Sequence, residues 1–195
     1  MPKQTQKKPN LQELVIGKPG TGKTTFLKTR LQQVLKDLGL TVERGDYGYL
    51  ISSWNVAFLD PFQSFQDVYG VPVISSELAE PDYPYIRYTD IHELFANLKP
   101  QTVIVIDELM LIEKSDYKPL RELSVTRRHK QVCILAGSQR PSFIPVTFFA
   151  LSNSYVIFKL THHDDLKKIK PFLDPDDYNK INTLDIGSHI AVRGL

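Results

Sequence analysis

The feature that most constrains the fold of this 195-residue chain is a glycine-rich segment at residues 17–24, with the sequence GKPGTGKT. It matches the pattern GxxxxGK[ST], in which glycines let the backbone turn with positive φ and approach a ligand closely. A turn of this kind points successive backbone N–H groups into one concave surface, which suits phosphate oxygens. The segment therefore predicts a phosphate-binding loop.

The sequence on either side of this loop is typical of a strand and a helix. Residues 11–16 (LQELVI) end in a short apolar run that favours a buried strand. Residues 25–38 carry leucine and valine at helical spacing, and Gly39 is a natural helix stop. A strand, a glycine loop and a helix in this order would hold an anionic phosphate at the helix N-terminus.

The loop positions have separate expected roles in binding ATP. We expect Lys23 to reach the β- and γ-phosphates and the Thr24 hydroxyl to coordinate Mg²⁺, while Pro19 stiffens the turn. The expected nucleotide-binding residues are consecutive: Gly17, Lys18, Pro19, Gly20, Thr21, Gly22, Lys23, Thr24 and Thr25.

Strands and helices are predicted to alternate through the rest of the chain. The predicted strands are residues 55–60, 85–88, 102–106, 131–136, 155–160 and 188–193, and the predicted helices are 62–69, 90–98, 119–128, 144–151 and 164–172. Residues 71–85 are predicted to be a loop, and residues 40–54 are left unassigned. The alternation predicts an α/β domain of three layers with a mainly parallel central sheet.

Composition adds only weak constraints. Residues 1–10 are expected to be a basic disordered tail, and residues 11–195 a single domain. The net charge of +2 excludes a global basic field, and Cys133 is the only cysteine, so no disulfide can form within the chain. No signal peptide is recognised, and no run approaches the roughly 20 apolar residues of a membrane-spanning helix.

Polar side chains follow two of the predicted strands. Asp107 and Glu108 come directly after the apolar run at 103–106, and Gln139 follows the next strand. Ligands of an open parallel sheet bind beyond the carboxyl ends of its strands, so these residues are expected near the phosphate loop. Asp107 would hold Mg²⁺, Glu108 would polarise the attacking water, and Gln139 would sense the γ-phosphate or orient that water.

Three arginines are candidates for a finger supplied to the active site of a neighbouring subunit. Arg127 and Arg128 end the helix before the strand at 131–136, where they could equally stabilise the helix macrodipole. Arg140 follows Gln139 and is the third candidate. The sequence alone leaves the choice open, and Arg128 is the one that we expect to be catalytic together with Glu108 and Gln139.

The stretch from residue 128 to residue 160 resembles the FtsK/HerA superfamily of DNA-pumping ATPases. In that superfamily an arginine is followed by an apolar strand, a [ST]-Q-R-P turn, a helix, an asparagine and another apolar strand. Arg128, the SQRP segment at 138–141 and Asn153 stand in the matching places. The loop at 17–24, VAFLDP at 56–61 and VIVIDE at 103–108 are similar to that superfamily in order and spacing.

Within that superfamily, the chain looks like the genome-packaging ATPases of membrane-containing tailless icosahedral viruses. This resemblance implies a RecA-like P-loop NTPase domain of the additional-strand catalytic-glutamate type that binds ATP and Mg²⁺. It also implies a homo-oligomer, expected to be a hexameric ring, that drives double-stranded DNA into a preformed capsid. Capsid or internal-membrane proteins at a packaging vertex would be partners, and the protein would act in the host cytoplasm or associated with the virion.

Other functions remain open on the sequence. A plasmid or cellular DNA-transfer ATPase of the same superfamily would share these motifs. A small-molecule kinase also has a phosphate loop, but it would need a lid with several arginines, and here the arginines lie near Gln139. A nucleotide-gated assembly factor would bind ATP without motor activity. For a motor, we expect the loop at 111–118, with Lys114 and Lys118, to contact DNA.

Overall fold

The computed structural model describes residues 10–38, 54–60 and 85–193, together with the backbone of residues 44–45, 48–49 and 74–75. All but the last residue of the predicted basic tail at 1–10 lies outside the described residues. The same is true of the predicted helix at 62–69 and of most of the predicted loop at 71–85.

The described strands form one large sheet and one small hairpin. The sheet has eight strands in the order β10-β9-β1-β8-β7-β4-β6-β5. Its strands are β1 (Gln12–Ile16), β4 (Asn55–Leu59), β5 (Ile74–Ser75), β6 (Tyr85–Tyr88), β7 (Thr102–Ile106), β8 (Cys133–Ser138), β9 (Ser154–Phe158) and β10 (His189–Arg193). The hairpin pairs β2 (Arg44–Gly45) with β3 (Gly48–Tyr49).

Neighbouring strands of the large sheet are parallel except at one edge. Strand β10 pairs antiparallel with β9, with His189 opposite Phe158. The register of the central strands is fixed by pairs such as Ile16 with Ser138 and Ile106 with Ala136. The prediction of a mainly parallel sheet is confirmed, and so is the final strand at a sheet edge.

Six helices are present in the described residues. They are α1 (Lys23–Asp37), α2 (Ile91–Ala96), α3 (Tyr117–Lys130), α4 (Val146–Leu151), α5 (His163–Ile169) and α6 (Pro175–Lys180). Asp90 caps α2 by accepting hydrogen bonds from the backbone N–H groups of His92 and Glu93 at 2.6 and 2.9 Å. Short 3₁₀ turns continue α5 over Lys170–Phe172 and α6 over Ile181–Thr183.

Successive side chains along each strand point to opposite faces of the sheet, and each face has its own hydrophobic core. On one face of the sheet, α1 packs Leu27 and Leu31 against strand residues that include Val15, Val105 and Phe158. On the other face, helices α2 to α5 cover the remaining strand residues, and this core includes Leu14, Ile16, Ile104, Ile106, Leu94, Leu123, Phe149 and Ile169. The arrangement is three layers with the sheet in the middle, which confirms the predicted α/β class.

The structure corrects several predicted boundaries and adds one helix. Helix α3 runs to Lys130 and ends at Gln131 in the left-handed region (φ 58°), so β8 covers 133–138 rather than 131–136. Helix α1 begins at Lys23, two residues before the predicted start, because Gly22 (φ 104°) forms its N-cap. Helix α6 was not predicted, although Asp174 caps it by accepting from the Asp177 N–H and Pro175 occupies its first turn.

Candidate nucleotide-binding site

The glycine loop at 17–24 lies at the carboxyl edge of the sheet, which is the side where the parallel strands end. It is joined to the strands on both sides of β1. The Gly17 N–H donates to the Ser138 carbonyl at 3.2 Å, and the Lys18 N–H donates to the Lys159 carbonyl at 3.0 Å. Within the loop, the Thr21 hydroxyl and the Lys23 ammonium both donate to the Lys18 carbonyl, at 2.8 and 3.1 Å. The loop is therefore held in shape by the protein itself.

Backbone conformation explains why glycine is needed inside the loop. Gly20 and Gly22 have φ angles of 73° and 104°, in the left-handed region that other residues rarely adopt. Gly17 is required for a different reason, since a Cβ placed there would lie 2.6 Å from Cβ of Phe158. Pro19, Gly20 and Thr25 are exposed, whereas Thr21 and Lys23 are buried.

Lys23 is a buried cation at the first position of α1, with only 7% of its surface exposed. Burial lowers the pKa of its ammonium group, and the nearby carboxylates of Glu108 and Asp107 oppose that effect. A triphosphate bound in the loop would add negative charge close to this ammonium group and stabilise its charged form. This placement suits the phosphate-binding role expected of Lys23.

The residues expected to hold a metal ion lie next to each other. The Thr24 hydroxyl is 3.2 Å from both carboxylate oxygens of Asp107, although the two residues are far apart in sequence. A hydroxyl and a carboxylate are oxygen ligands of the kind that Mg²⁺ uses together with water and substrate phosphates. The donor set present therefore fits a Mg²⁺ ion that accompanies ATP.

Glu108 lies beside the loop and is held by the neighbouring strand end. Its Oε1 accepts a hydrogen bond from the Gln139 backbone N–H at 2.9 Å. Burial raises the pKa of the Glu108 carboxyl; the hydrogen bonds from Gln139 and the charge of Lys23 oppose this, and Asp107 adds to the rise. A carboxylate with a raised pKa is a stronger base, which suits proton abstraction from an attacking water.

A close approach between β7 and β8 sets the position of these carboxylates. A Cβ on Gly137 would lie 2.3 Å from the Asp107 carbonyl oxygen and 3.0 Å from Cδ1 of Leu27. Any side chain at 137 would have to displace the backbone that carries Asp107 and Glu108. Gly137 directly follows the predicted strand at 131–136, and nothing in the local sequence signals this close contact.

The three candidate arginines have different environments. Arg127 is 3% exposed and donates to the Ser124 and Leu151 carbonyls at 2.6 and 3.0 Å, so its guanidinium is held inside the subunit. Arg140 is paired with the buried Asp165, with 2.9 Å between Nε and Oδ2.

Arg128 is exposed, and its Nε donates to Oδ1 of Asn10 at 3.0 Å. Asn10 precedes β1, so Arg128 lies at the amino edge of the sheet, one strand length from the loop. Asn153, the other residue of the family pattern, donates to the Asn10 carbonyl at this same edge. Within one subunit, Arg128 therefore lies too far from the loop to contact a nucleotide held there.

Asp165 holds the turn that follows Gln139, and the sequence did not predict this role. Besides Arg140, it accepts a hydrogen bond from the Ser142 N–H at 3.0 Å, and thereby joins α5 to the turn after Gln139. Its only sequence signal is an acidic residue in the first turn of a predicted helix, which is ordinarily explained by the helix dipole.

Comparison with known protein families gave one match by sequence. Residues 13–155 match the sequence model of the ATPase family associated with various cellular activities (AAA). A search of curated proteins by sequence gave no match. Among the residues described, no helix combines the length and apolar character that crossing a membrane requires.

Several solved structures have a similar fold. The genome-packaging NTPase B204 of Sulfolobus turreted icosahedral virus 2, in complex with sulfate, superposes with a TM-score of 0.75 at 14% identity, over 96% of this chain and 92% of that chain. The DNA-packaging ATPase B204 of Sulfolobus turreted icosahedral virus gives 0.68 at 15% identity, over 97% and 100%. VirB4 of Thermoanaerobacter pseudethanolicus gives 0.65 at 12% identity, over 94% and 87%. At the level of the fold, these matches confirm the resemblance to packaging ATPases and the RecA-like class.

Proposed function

Because the chain belongs to the ATPase family associated with various cellular activities (AAA), and is thus an ATPase, we propose that it is a motor that moves double-stranded DNA. We further propose that its task is to package a viral genome into a preformed capsid. The fold similarity to B204 carries this proposal, since the two chains match over nearly the full length of both.

The residues at the carboxyl edge of the sheet divide the chemistry of hydrolysis among them. The loop N–H groups and Lys23 bind the phosphates, and the first turn of α1 begins directly after Gly22. Glu108 accepts a proton from the attacking water. The Gln139 side chain, held beside Glu108, orients that water and responds to the presence of the γ-phosphate.

A Mg²⁺ ion would be held by Thr24 and Asp107 together with the phosphates and water. When bound, Mg²⁺ neutralises charge on the β- and γ-phosphates. The close contact between β7 and β8 at Gly137 fixes the position of the Asp107 backbone. The first turn of α1 fixes the position of Thr24.

Arg128 would complete the site of a neighbouring subunit. It is exposed, it projects from the amino edge of the sheet, and of the three arginines considered it is the one that is neither buried nor paired with a carboxylate in the described structure. A closed homo-oligomeric ring, hexameric in this proposal, would bring the amino edge of one subunit to the carboxyl edge of the next.

Double-stranded DNA would be bound through its phosphates and without sequence readout, since a packaging motor must accept any sequence. Lys114 and Lys118 are exposed in the segment that follows β7 and are proposed as DNA contacts. The motor would dock on capsid or internal-membrane proteins at a packaging vertex. It would therefore be found in the host cytoplasm or associated with virions.

The proposal is tested by measuring the ATPase rate with and without double-stranded DNA, together with the mass of the assembled particle. We expect DNA to stimulate hydrolysis several-fold and the particle to have the mass of a ring. The Lys23→Ala variant should lose ATP turnover by at least about 100-fold, because the buried cation that holds the phosphates is gone. A wild-type rate that is indifferent to DNA, from a protein that remains monomeric, would contradict a motor function.

A further inference from the structure

The C-terminal part of the chain passes directly over the phosphate loop. Strand β10 is antiparallel to β9, so β10 begins at the carboxyl edge of the sheet, with His189 opposite Phe158. The residues before β10 therefore lie at the edge where the loop is. The Gly187 N–H donates to the Thr21 carbonyl at 3.2 Å, which ties this segment to the loop itself.

The segment forms a tight turn with an apolar residue at its tip. The Ser188 N–H donates to the Asp185 carbonyl at 3.1 Å, and Gly187 has a φ of 87°, so Ile186 and Gly187 are the central residues of the turn. The preceding 3₁₀ turn is anchored by Ile181, which is fully buried. Ile186, in contrast, is 77% exposed.

The order of strands shows which end of a nucleotide would meet this turn. Glu108 and Gln139 belong to the ends of β7 and β8, on one side of β1, and the γ-phosphate must face them for hydrolysis. Strands β9 and β10 lie on the other side of β1. A triphosphate held in the loop therefore directs its nucleoside end toward β9, β10 and the turn at 185–188.

An aromatic cluster lies beside the turn, formed by the exposed His189, the half-buried Phe26 and the buried Phe158. The His189 ring lies 5.1 Å from the Phe26 ring and 5.2 Å from the Phe158 ring, between centroids. Phe26 belongs to the first turn of α1, directly after the expected nucleotide-binding residues. Purine rings bind on flat apolar and aromatic surfaces of this kind, with few polar contacts.

We propose that the turn at residues 185–188 is the wall of the site that binds the nucleobase of ATP, with Ile186 as its apolar contact surface. The proposal rests on the proposed ATPase function and adds the element that recognises the nucleoside. Gly187 is needed because its positive φ allows the turn to lie against the loop, where the backbone of Gly22 is also close: a Cβ on Gly22 would be 3.9 Å from Cα of Gly187.

The test compares ATP with inorganic tripolyphosphate, which has the phosphates but no nucleoside. We expect Ile186→Asn to weaken ATP binding about tenfold, the change expected when roughly 50 Å² of apolar contact is lost. Tripolyphosphate binding should not change, because the substitution adds no charge beside the loop, and Ile186→Leu should retain ATP affinity. Val146→Asn is the matched control, since Val146 is an apolar residue on α4 that is 67% exposed.

The outcomes separate this inference from the proposed function. If Ile186→Asn binds ATP as tightly as the wild type, or weakens ATP and tripolyphosphate equally, the turn is not the base wall, while the ATPase assignment stands. If the wild type binds neither ligand, both proposals fail. Because Ile186 is exposed, loss of folding is not expected, and circular dichroism of each variant verifies this.

Discussion

At the residue scale, the chemistry of the site depends on charges that are buried beside each other. Lys23 has a lowered pKa and Glu108 a raised pKa, and in both cases burial is the main cause. Each shift is reduced by the charge of the other residue. We therefore expect the free site to favour binding of a triphosphate, because the phosphates would provide the Lys23 ammonium with additional negative charge.

We predict that Glu108→Gln keeps ATP affinity and lowers turnover by about 100-fold or more, because the amide cannot accept the proton of the attacking water. In the wild type, kcat/KM for ATP should fall as the pH decreases through the raised pKa of Glu108. The acid limb should thus lie above the usual range of a glutamate. Steady-state rates from pH 4 to pH 9 and equilibrium ATP binding test both statements. Normal turnover by Glu108→Gln would exclude Glu108 as the base.

Much of the site could be predicted from individual residues, for a physical reason. The phosphate loop is a contiguous motif, and acidic residues that directly follow an apolar run must emerge at a sheet edge. The structural positions of Asp165, Gly137 and Ile186 could not be predicted in this way. They depend on contacts made after distant segments have packed, and a single aspartate, glycine or isoleucine has no local signature of such a contact.

At the element scale, strands β1, β7 and β8 position the site because they are parallel and share one register. Their type was predictable from continuous apolar runs, which indicate strands covered on both faces. Their order in the sheet was not, since pairing of β1 with β8 and β9 joins segments far apart in sequence. Boundaries shifted where a cap overrode the pattern, as at Gln131.

We predict that Gly137→Ala destabilises the protein by about 1–3 kcal/mol, because the added methyl group overpacks the contact between β7 and β8. It should also lower ATP turnover, since the backbone that must move carries Asp107 and Glu108. Urea unfolding followed by circular dichroism measures the first effect and a steady-state ATPase assay the second.

Ala150→Ser is the control for Gly137→Ala, because it also adds one heavy atom, at an exposed position of α4. It should leave the free energy of unfolding within about 0.5 kcal/mol of the wild-type value. If Gly137→Ala were equally neutral, the two strands would have room that the structure does not show.

At the scale of the whole molecule, the two edges of the sheet differ in their residues. The carboxyl edge has the loop and the carboxylates, and the amino edge has Arg128 and Asn153 grouped around Asn10. One subunit cannot join the two edges, because the length of the strands separates them. In a ring, the amino edge of each subunit could complete the site of the next.

Mixing two inactive variants tests this arrangement. We predict that Arg128→Ala and Lys23→Ala proteins each lose most ATPase activity, and that mixed rings regain part of it. Recovery is expected where an intact loop in an Arg128→Ala subunit meets an intact Arg128 from a Lys23→Ala neighbour. Arg121→Ala, an exposed arginine on the same helix, should keep full activity. Wild-type rates from Arg128→Ala alone would refute the role of this arginine in trans.

The hydrogen bonds from Gly17 and Lys18 to the ends of β8 and β9 have a mechanical consequence. They hold the phosphate loop to the central strands before any ligand binds. The loop therefore loses little conformational entropy when a ligand binds. In the proposed motor, a stroke driven by hydrolysis would then originate outside this fixed loop. The turn after Gln139 is such a part, because it follows the end of β8 and is held there by side-chain contacts with Asp165 on α5.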